Sequence, residues 1–169
     1  MRLMKLLFVG DINVDLMLSD FNAPPREDKE VMANKYLLTL GSQAIIAALA
    51  YNHLGGQSSV CGLAGEDDYS RFILESLTTR GVDVSLVDID PETPTGFTIN
   101  LIISDKRTQI TYPGTIVKFK GPNLNRKEYR YFDHIHFSGI YQQLGFLPHL
   151  AKTMAFFRAN PTKIKHPTP

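Results

Sequence analysis

The sequence predicts an α/β fold with a mostly parallel central sheet flanked by helices. Two short apolar runs, at residues 5–10 and 58–65, end in glycine, which is typical of buried strands in a parallel sheet. Helical patterns at residues 44–54 and 71–80 follow these runs in turn. Strands that alternate with helices in this way favour right-handed crossovers between parallel neighbours.

The first strand, at residues 5–10, is followed by a polar segment in which Asp11, Asn13 and Asp15 alternate with apolar residues. In an extended chain, side chains two residues apart point to the same face. A carboxylate accepts hydrogen bonds and an amide both accepts and donates them, which suits a polyhydroxylated ligand. Ligands of open α/β sheets bind just beyond the carboxyl ends of strands. The alternative is a strand end with an Asx-turn and a solvated acid.

The segment between the first strand and the first helix has a mixed pattern. A charged loop around Pro24 precedes residues 31–40, whose composition favours a strand. Gly41 leads into the helix at residues 44–54, which is apolar on nearly every face and therefore predicted to be buried. Gly55 provides a stop for that helix.

The second helix begins after acids that include Asp67, which suit the positive end of a helix. Residues 82–90 alternate between apolar and polar, as a strand does. Residues 95–116 break the alternation of strands and helices. Their pattern predicts an antiparallel hairpin around a charged turn at 105–107. An inserted hairpin of this kind is expected to form a lid or a subunit contact.

The last third of the chain adds one more strand and helix to the prediction. Residues 132–139 form an apolar run that ends in Ser-Gly and predict a buried strand. A helix is predicted at residues 144–160, with Pro148 tolerated only in its first turn. Residues 161–169 are basic, rich in proline and without a pattern, and we expect a disordered tail.

Composition excludes several classes of protein. A formal charge of +1, without a basic patch among aromatic residues, argues against a nucleic-acid partner. Cys61 is the single cysteine, so an internal disulfide is impossible and a cysteine-based metal cluster is excluded. No apolar run reaches the roughly 20 residues that span a bilayer, so no membrane association is expected. A cytoplasmic location is consistent with these features.

Other candidate motifs are weak. The glycine-rich segments lack the spacing of a phosphate-binding Walker loop. His134 and His136 share a strand face, but no third metal ligand lies at a suitable spacing. We therefore interpret them as two polar residues near a sheet edge and predict no metal site. Cys61 lies in an apolar strand and is interpreted as an inert core thiol.

Taken in order, these segments resemble the amino-terminal part of a PfkB-type, ribokinase-like carbohydrate kinase. No motif is specific alone, but the ordered set over residues 5–158 is. The motifs are GDINVD at 10–15, LGSQA at 40–44, VCGLAGED at 60–67, RGVD at 80–83, the hairpin at 95–114 and HIHFSG at 134–139. The resemblance implies one ribokinase-like domain over residues 1–160, with lid strands at about 32–40 and 95–116.

The family transfers the γ-phosphoryl group of ATP to a sugar hydroxyl with magnesium, so ATP and Mg²⁺ are the expected cofactors and a small-molecule sugar the expected substrate. By resemblance, Asn13 and Asp15 bind sugar hydroxyls, while the lid excludes water and so suppresses ATP hydrolysis. A homodimer through the lid is possible. The substrate-binding residues that the resemblance implies are Asn13, Asp15, Gly41, Ser42, Gln43 and Phe97.

The sequence departs from the family pattern in two ways. Ile46 stands where the family often has a sugar-contacting asparagine, and an aliphatic side chain cannot make that hydrogen bond. The signature Asp-Thr-x-Gly-Ala-Gly-Asp, which supplies the anion hole and the catalytic base, is missing. We therefore assign no catalytic residue, and expect a truncated chain that is inactive by itself. The alternatives are a non-catalytic sugar-binding module and a lid-mediated dimerisation module.

Overall fold

The protein is built around two four-stranded sheets, and the computed structural model describes residues 3–104 and 106–159. The first, which we call the central sheet, has the order β5-β4-β1-β8, and all its neighbours are parallel. This arrangement confirms the predicted α/β fold with a parallel sheet. Its strands are β1 (Lys5–Val9), β4 (Gln57–Gly65), β5 (Asp83–Asp90) and β8 (His134–Phe137).

Both faces of the two middle strands, β1 and β4, are covered, which explains why these two strands are apolar runs. On one face, Phe8 and Val60 pack with residues of the first two helices. On the other, Leu7 and Cys61 pack with a cluster that includes Phe146. The two cores therefore share the middle strands of the sheet.

The second sheet, which we call the outer sheet, has the order β3-β2-β6-β7. Its strands are β2 (Asn13–Phe21), β3 (Ala33–Leu40), β6 (Gly96–Ile103) and β7 (Lys106–Tyr112). The pair β2–β6 is parallel, while β2–β3 and β6–β7 are antiparallel. The pair β6–β7 is the hairpin predicted from the sequence, and residue 105 in its turn lies outside the described residues.

Strand β2 was not predicted beyond its first residues. The sequence interpretation left residues 16–21 as part of a mixed segment, but they continue the strand to Phe21 and pair with β3 from Val14↔Leu40 to Phe21↔Ala33. A half-exposed strand usually alternates apolar and polar residues. The pattern is obscured here because Met17 places an apolar side chain on the polar side of the strand, the same side as Asp15.

The described part of the chain has four α-helices, of which the first three connect strands and the last follows β8. They are α1 (Gln43–His53), α2 (Asp68–Thr79), α3 (Thr115–Lys118) and α4 (Leu150–Ala159). The predicted helix at 144–160 begins later than expected, because Pro148 lies in a separate 3₁₀ turn at Leu147–His149 that precedes α4. No helix among residues 3–104 and 106–159 is long and apolar enough to cross a membrane. The predicted disordered tail at 161–169 lies outside the described residues.

Candidate functional site

The candidate site lies where β1 and β8 end and α1 begins. Because β1 and β8 are parallel neighbours, Asp11 and Gly139, just beyond them, lie at the same edge of the sheet. Ser42 caps α1 by accepting a hydrogen bond from Ile45 N at 3.2 Å, and its hydroxyl donates to the Asp11 carbonyl at 2.6 Å. Gln43 Oε1 accepts a hydrogen bond from Gly139 N at 3.1 Å. These bonds hold the start of α1 against the ends of both strands.

Two glycines permit this close approach. A Cβ on Gly10 would lie 2.6 Å from the Ala44 Cβ, and a Cβ on Gly41 would lie 2.6 Å from Asn13 Nδ2. Both distances are shorter than van der Waals contact, so larger residues would push α1 away from β1 or displace the Asn13 amide. Glycine at these positions therefore sets the shape of the site.

The Asp11 carboxyl is buried at this junction, with the residue 8% exposed. Burial raises the pKa of Asp11 to about 6, and hydrogen bonds from its own backbone and from Ser42 offset only part of this effect. The Ser42 hydroxyl lies 3.4 Å from Asp11 Oδ1, which is a long contact for such a bond. Asp11 therefore exchanges its proton much closer to neutral pH than an exposed aspartate does.

Asn13 begins β2 at the same junction and is 5% exposed. Its Oδ1 is buried and has no hydrogen-bond partner among the described residues. Buried polar atoms nearly always have a partner in the protein or in ordered water. The side-chain oxygen of Asn13 is therefore an acceptor to which a bound group, such as a hydroxyl, could donate a hydrogen bond.

One face of the outer sheet carries polar side chains next to Asn13. The strand register places Asp15 beside Thr39 on β3 and Thr98 on β6. Burial raises the pKa of Asp15, while a hydrogen bond from Asn100 and the charge of Arg107 act in the opposite direction. We call this side of the sheet the polar face, and its polar residues near Asn13 include Asp15, Thr39, Thr98, Asn100, Gln109 and Thr111.

The structure brings most of the sequence-predicted site residues together, but not all. Asn13 and Asp15 share the polar face, Gly41 contacts Asn13, and Ser42 and Gln43 hold the start of α1 as described above. Phe97 lies on the opposite face of the outer sheet.

Phe97 pairs with Val14 in the strand register, so its side chain points away from Asp15. Its ring packs against Tyr69 of α2 and Tyr112 of β7, with centroids 5.7 and 5.4 Å apart. Phe97 therefore lies near the start of β6 on the face of the outer sheet opposite Asp15. The side chain of Ile46 is 56% exposed and lies on α1, within one turn of Gln43.

Sequence reasoning missed Asn100 and Gln109 as members of the polar face. Gln109 Nε2 donates to Asn100 Oδ1 at 3.1 Å, and Asn100 is 2% exposed. A signal was present, because Thr98 and Asn100 repeat the two-residue spacing of Asn13 and Asp15. Without the register between β2 and β6, nothing in the sequence says that the two pairs share a face.

Residues that could hold a metal do not converge in the described part of the chain. Among residues 3–104 and 106–159, no group of three or more His, Cys, Asp or Glu side chains is placed to bind one. His134 and His136 are both exposed on β8. Burial raises the pKa of the Cys61 thiol to about 12, so it is not a reactive thiolate at neutral pH.

The family profile "pfkB family carbohydrate kinase" matches residues 4–163. Aminoimidazole riboside kinase of Salmonella typhimurium is 27% identical over 139 residues, which are 80% of this chain and 39% of that protein. 2-Dehydro-3-deoxygluconokinase of Thermoproteus tenax is 43% identical over 56 residues, which are 33% of this chain and 17% of that protein. The matched segments therefore cover less than half of either relative.

Solved structures support the same fold. Fructokinase from Xylella fastidiosa matches 92% of this chain and 47% of its own, with a TM-score of 0.74 and 16% identity. Ribokinase from Arabidopsis thaliana, complexed with ribose and ATP, matches 80% of this chain and 45% of its own, with a TM-score of 0.69 and 22% identity. The fold is ribokinase-like, and the profile match over most of the sequence shows that the chain belongs to the pfkB family of carbohydrate kinases.

Proposed function

We propose that these residues form the sugar-binding part of an ATP-dependent sugar kinase. The observation that carries this proposal is the buried, unpartnered Oδ1 of Asn13, held against Gly41 and on the same face as Asp15. A sugar hydroxyl can donate a hydrogen bond to Asn13 Oδ1 or to the Asp15 carboxylate, and the Asn13 amide nitrogen can donate one to a sugar oxygen. The outer sheet then acts as a lid whose polar face lies over the sugar.

The remaining residues of the site position this pair. Ser42 and Gln43 hold the start of α1, and Gly41 leaves room for the Asn13 amide. Ile46, exposed on α1, offers an aliphatic surface, so the proposed sugar receives no hydrogen bond from that position. The relatives named above suggest a panel of ligands, namely D-ribose, D-fructose, aminoimidazole riboside and 2-dehydro-3-deoxygluconate.

Phosphoryl transfer needs ATP and magnesium, which the resemblance implies. The residues present do not fit this machinery, because the sequence lacks the Gly-Ala-Gly-Asp signature and the described residues hold no cluster for a metal. Since phosphoryl transfer depends on positioning and on electrostatic stabilisation of the transferred group, these 169 residues alone are expected to bind sugar without turnover.

Calorimetric titration with the four ligands tests sugar binding. We expect at least one to bind, and we expect Asp15→Ala to lose about 2–4 kcal/mol of binding free energy, because it removes charge-assisted hydrogen bonds. The matched control is Asp20→Ala on the same strand, since Asp20 is exposed and its carboxylate forms an ion pair with Lys35 at 3.6 Å. Equal dissociation constants for Asp15→Ala and the native chain would remove Asp15 from the site.

A coupled assay of sugar-dependent ADP release tests the second half of the proposal. The expected result is no release above background. Sugar-dependent turnover near the roughly 10 s⁻¹ that is typical of enzymes would contradict the expectation that these 169 residues alone are inactive.

Self-association through the outer sheet is a second candidate function. The face opposite Asp15 exposes Tyr36 (79%), Ile110 (54%) and Tyr112 (42%), and a second copy of this chain would cover such an apolar surface. Sedimentation velocity at tens of micromolar is expected to show a dimer that Tyr36→Ser combined with Ile110→Ser converts to monomer. Leu37→Ser, on the opposite face of β3, is the matched control. A native chain that sediments as a monomer would exclude this role.

A further inference from the structure

The polar face contains a chain of amide groups that ends at Asp15. Asn100 lies diagonally next to Asp15 on the neighbouring strand, on the same face of the sheet. The Asn100 Oδ1 accepts a hydrogen bond from Gln109 Nε2 at 3.1 Å, which leaves the Asn100 amide nitrogen to face the Asp15 carboxylate. We propose that Asn100 is a positioning residue that holds the Asp15 carboxylate toward the sugar, and that Gln109 sets the orientation of the Asn100 amide. This inference rests on the proposed function, since Asp15 is the sugar-binding group.

The strand register explains how these side chains meet. Asp15 pairs with Thr98, and Asn100 pairs with Met17, so Asn100 is the diagonal neighbour of Asp15 on the same face. The Asn100 side chain acts on the Asp15 carboxyl as a hydrogen-bond donor, in the direction that lowers its pKa. Gln109 lies directly opposite Asn100 on β7. Three adjacent strands therefore each contribute one member.

The orientation of the Asn100 amide follows from its two neighbours. An amide has one acceptor oxygen and one donor nitrogen. Gln109 donates to the oxygen, so the nitrogen is the group left to donate to the Asp15 carboxylate. Asn100 is 2% exposed, so water cannot easily replace either partner. If the amide turned over, its oxygen would face the carboxylate and repel it.

The charged groups around Asp15 are few in the described part of the chain. Arg107 from β7 favours the ionised carboxyl, and Asp11 from the end of β1 carries a charge of the same sign. Lys35 of β3 lies farther along the strand and pairs with Asp20 at 3.6 Å. Asn100 acts on Asp15 as an uncharged hydrogen-bond donor. A substitution of Asn100 therefore leaves the charged groups around Asp15 in place.

The first readout is the pKa of Asp15, measured by NMR of ¹³C-labelled aspartate carboxyls, which requires no sugar. Asn100→Leu is expected to raise this pKa, because the charged form loses a donor. Gln109→Met is expected to raise it less, because Asn100 remains but is free to turn. The matched control is Thr111→Val, which removes the Thr98–Thr111 hydroxyl contact of 3.1 Å on the same face and is expected to leave the pKa unchanged.

The second readout is binding of whichever panel sugar the native chain takes, measured against pH. Binding to Asn100→Leu is expected to weaken about 3- to 10-fold, with its acid limb moved to higher pH. Gln109 is exposed, so Gln109→Met tests the inference even where Asn100→Leu does not fold. An Asp15 pKa that is equal in the native chain, Asn100→Leu and Gln109→Met overturns the inference. Absence of sugar binding by the native chain overturns the proposed function instead.

Discussion

The central sheet and the outer sheet each have four strands, but they bury them differently. In β1 the side chains of Leu7, Phe8 and Val9 are buried, and helices or loops cover both faces. In β7 every residue is exposed. Near its base, the outer sheet packs on the rest of the protein through Val14, Leu38, Leu40 and Phe97, which join the core.

This difference separates stability from recognition. Burial of apolar area is the dominant favourable term in folding, so the central sheet carries most of the free energy of unfolding. In the proposed function, the polar face of the outer sheet provides hydrogen bonds to the sugar instead of contacts with the core. Elements with few buried contacts open at low free-energy cost, which is what a lid requires.

The largest expected effect comes from truncating the core of the central sheet. Leu7 is 0% exposed, and Leu7→Ala is expected to lower the free energy of unfolding by about 2–5 kcal/mol, because a cavity replaces buried methyl groups. Leu37→Ala on the outer sheet is the matched control; Leu37 is 56% exposed, and a change within about 0.5 kcal/mol is expected. Urea denaturation measures both. Equal losses would remove the contrast between the sheets.

The next effect belongs to the junction between the sheets. Burial raises the pKa of Asp11 to about 6 from the ordinary value of 3.8, so between these values the folded protein holds a proton that the unfolded chain has released. Stability therefore rises as the pH falls from above 6 toward 4, by on the order of 1–3 kcal/mol.

Asp11→Asn is expected to remove this pH dependence, because the amide does not titrate. The measurement is the difference between native and variant unfolding free energies at several pH values, in which the groups that do not interact with Asp11 cancel. The lowered pKa values of Asp67 and Asp83 act below 3.8, in a different window. A difference that is constant from pH 7 to pH 4 would contradict the buried state of Asp11.

Much of the central sheet was predictable from the sequence because its signals are local. Residues 5–10 and 58–65 are apolar runs that end in glycine, and each became a strand within a residue or two of the prediction. Strand β2 was harder, because its two faces are set by partners far away in the chain. The polarity of Asp15 has a structural meaning only once β6 lies beside it.

The candidate site shows the same division. The resemblance points to Asn13, Asp15 and Gly41 because they stand in recognisable motifs. It also assigns Phe97 to the pocket, but a side chain changes face with every residue of a strand, and the register directs Phe97 toward α2. Asn100 and Gln109 were missed because their partnership depends on the pairing of β6 with β7.

The smallest of these effects concerns the link between the two sheets at Asp67. Asp67 Oδ1 accepts from Ser70 N at 2.9 Å as the cap of α2, and from Thr95 Oγ1 at 2.8 Å. Asp67 Oδ2 accepts from Thr95 N at 2.6 Å, and Thr95 Oγ1 in turn accepts from Gly65 N at 2.8 Å. Because Gly65 ends β4 and Thr95 precedes β6, this network joins the central sheet to the base of the outer sheet.

Asp67→Ala is expected to cost about 1–2 kcal/mol of stability, through loss of the cap and of the Thr95 bonds. Partial burial raises the pKa of Asp67, but the hydrogen bonds outweigh it and the pKa lies below 3.8, so the contribution of Asp67 is present above that pH and fades in acid. Asp68→Ala, an exposed neighbour paired with Arg71, is the control and is expected to change stability by less than about 0.5 kcal/mol. Hydrogen exchange should accelerate in β6 and β7 but not in β1, because only the outer sheet depends on this link. Equal acceleration in both sheets would mean that the two unfold as one unit.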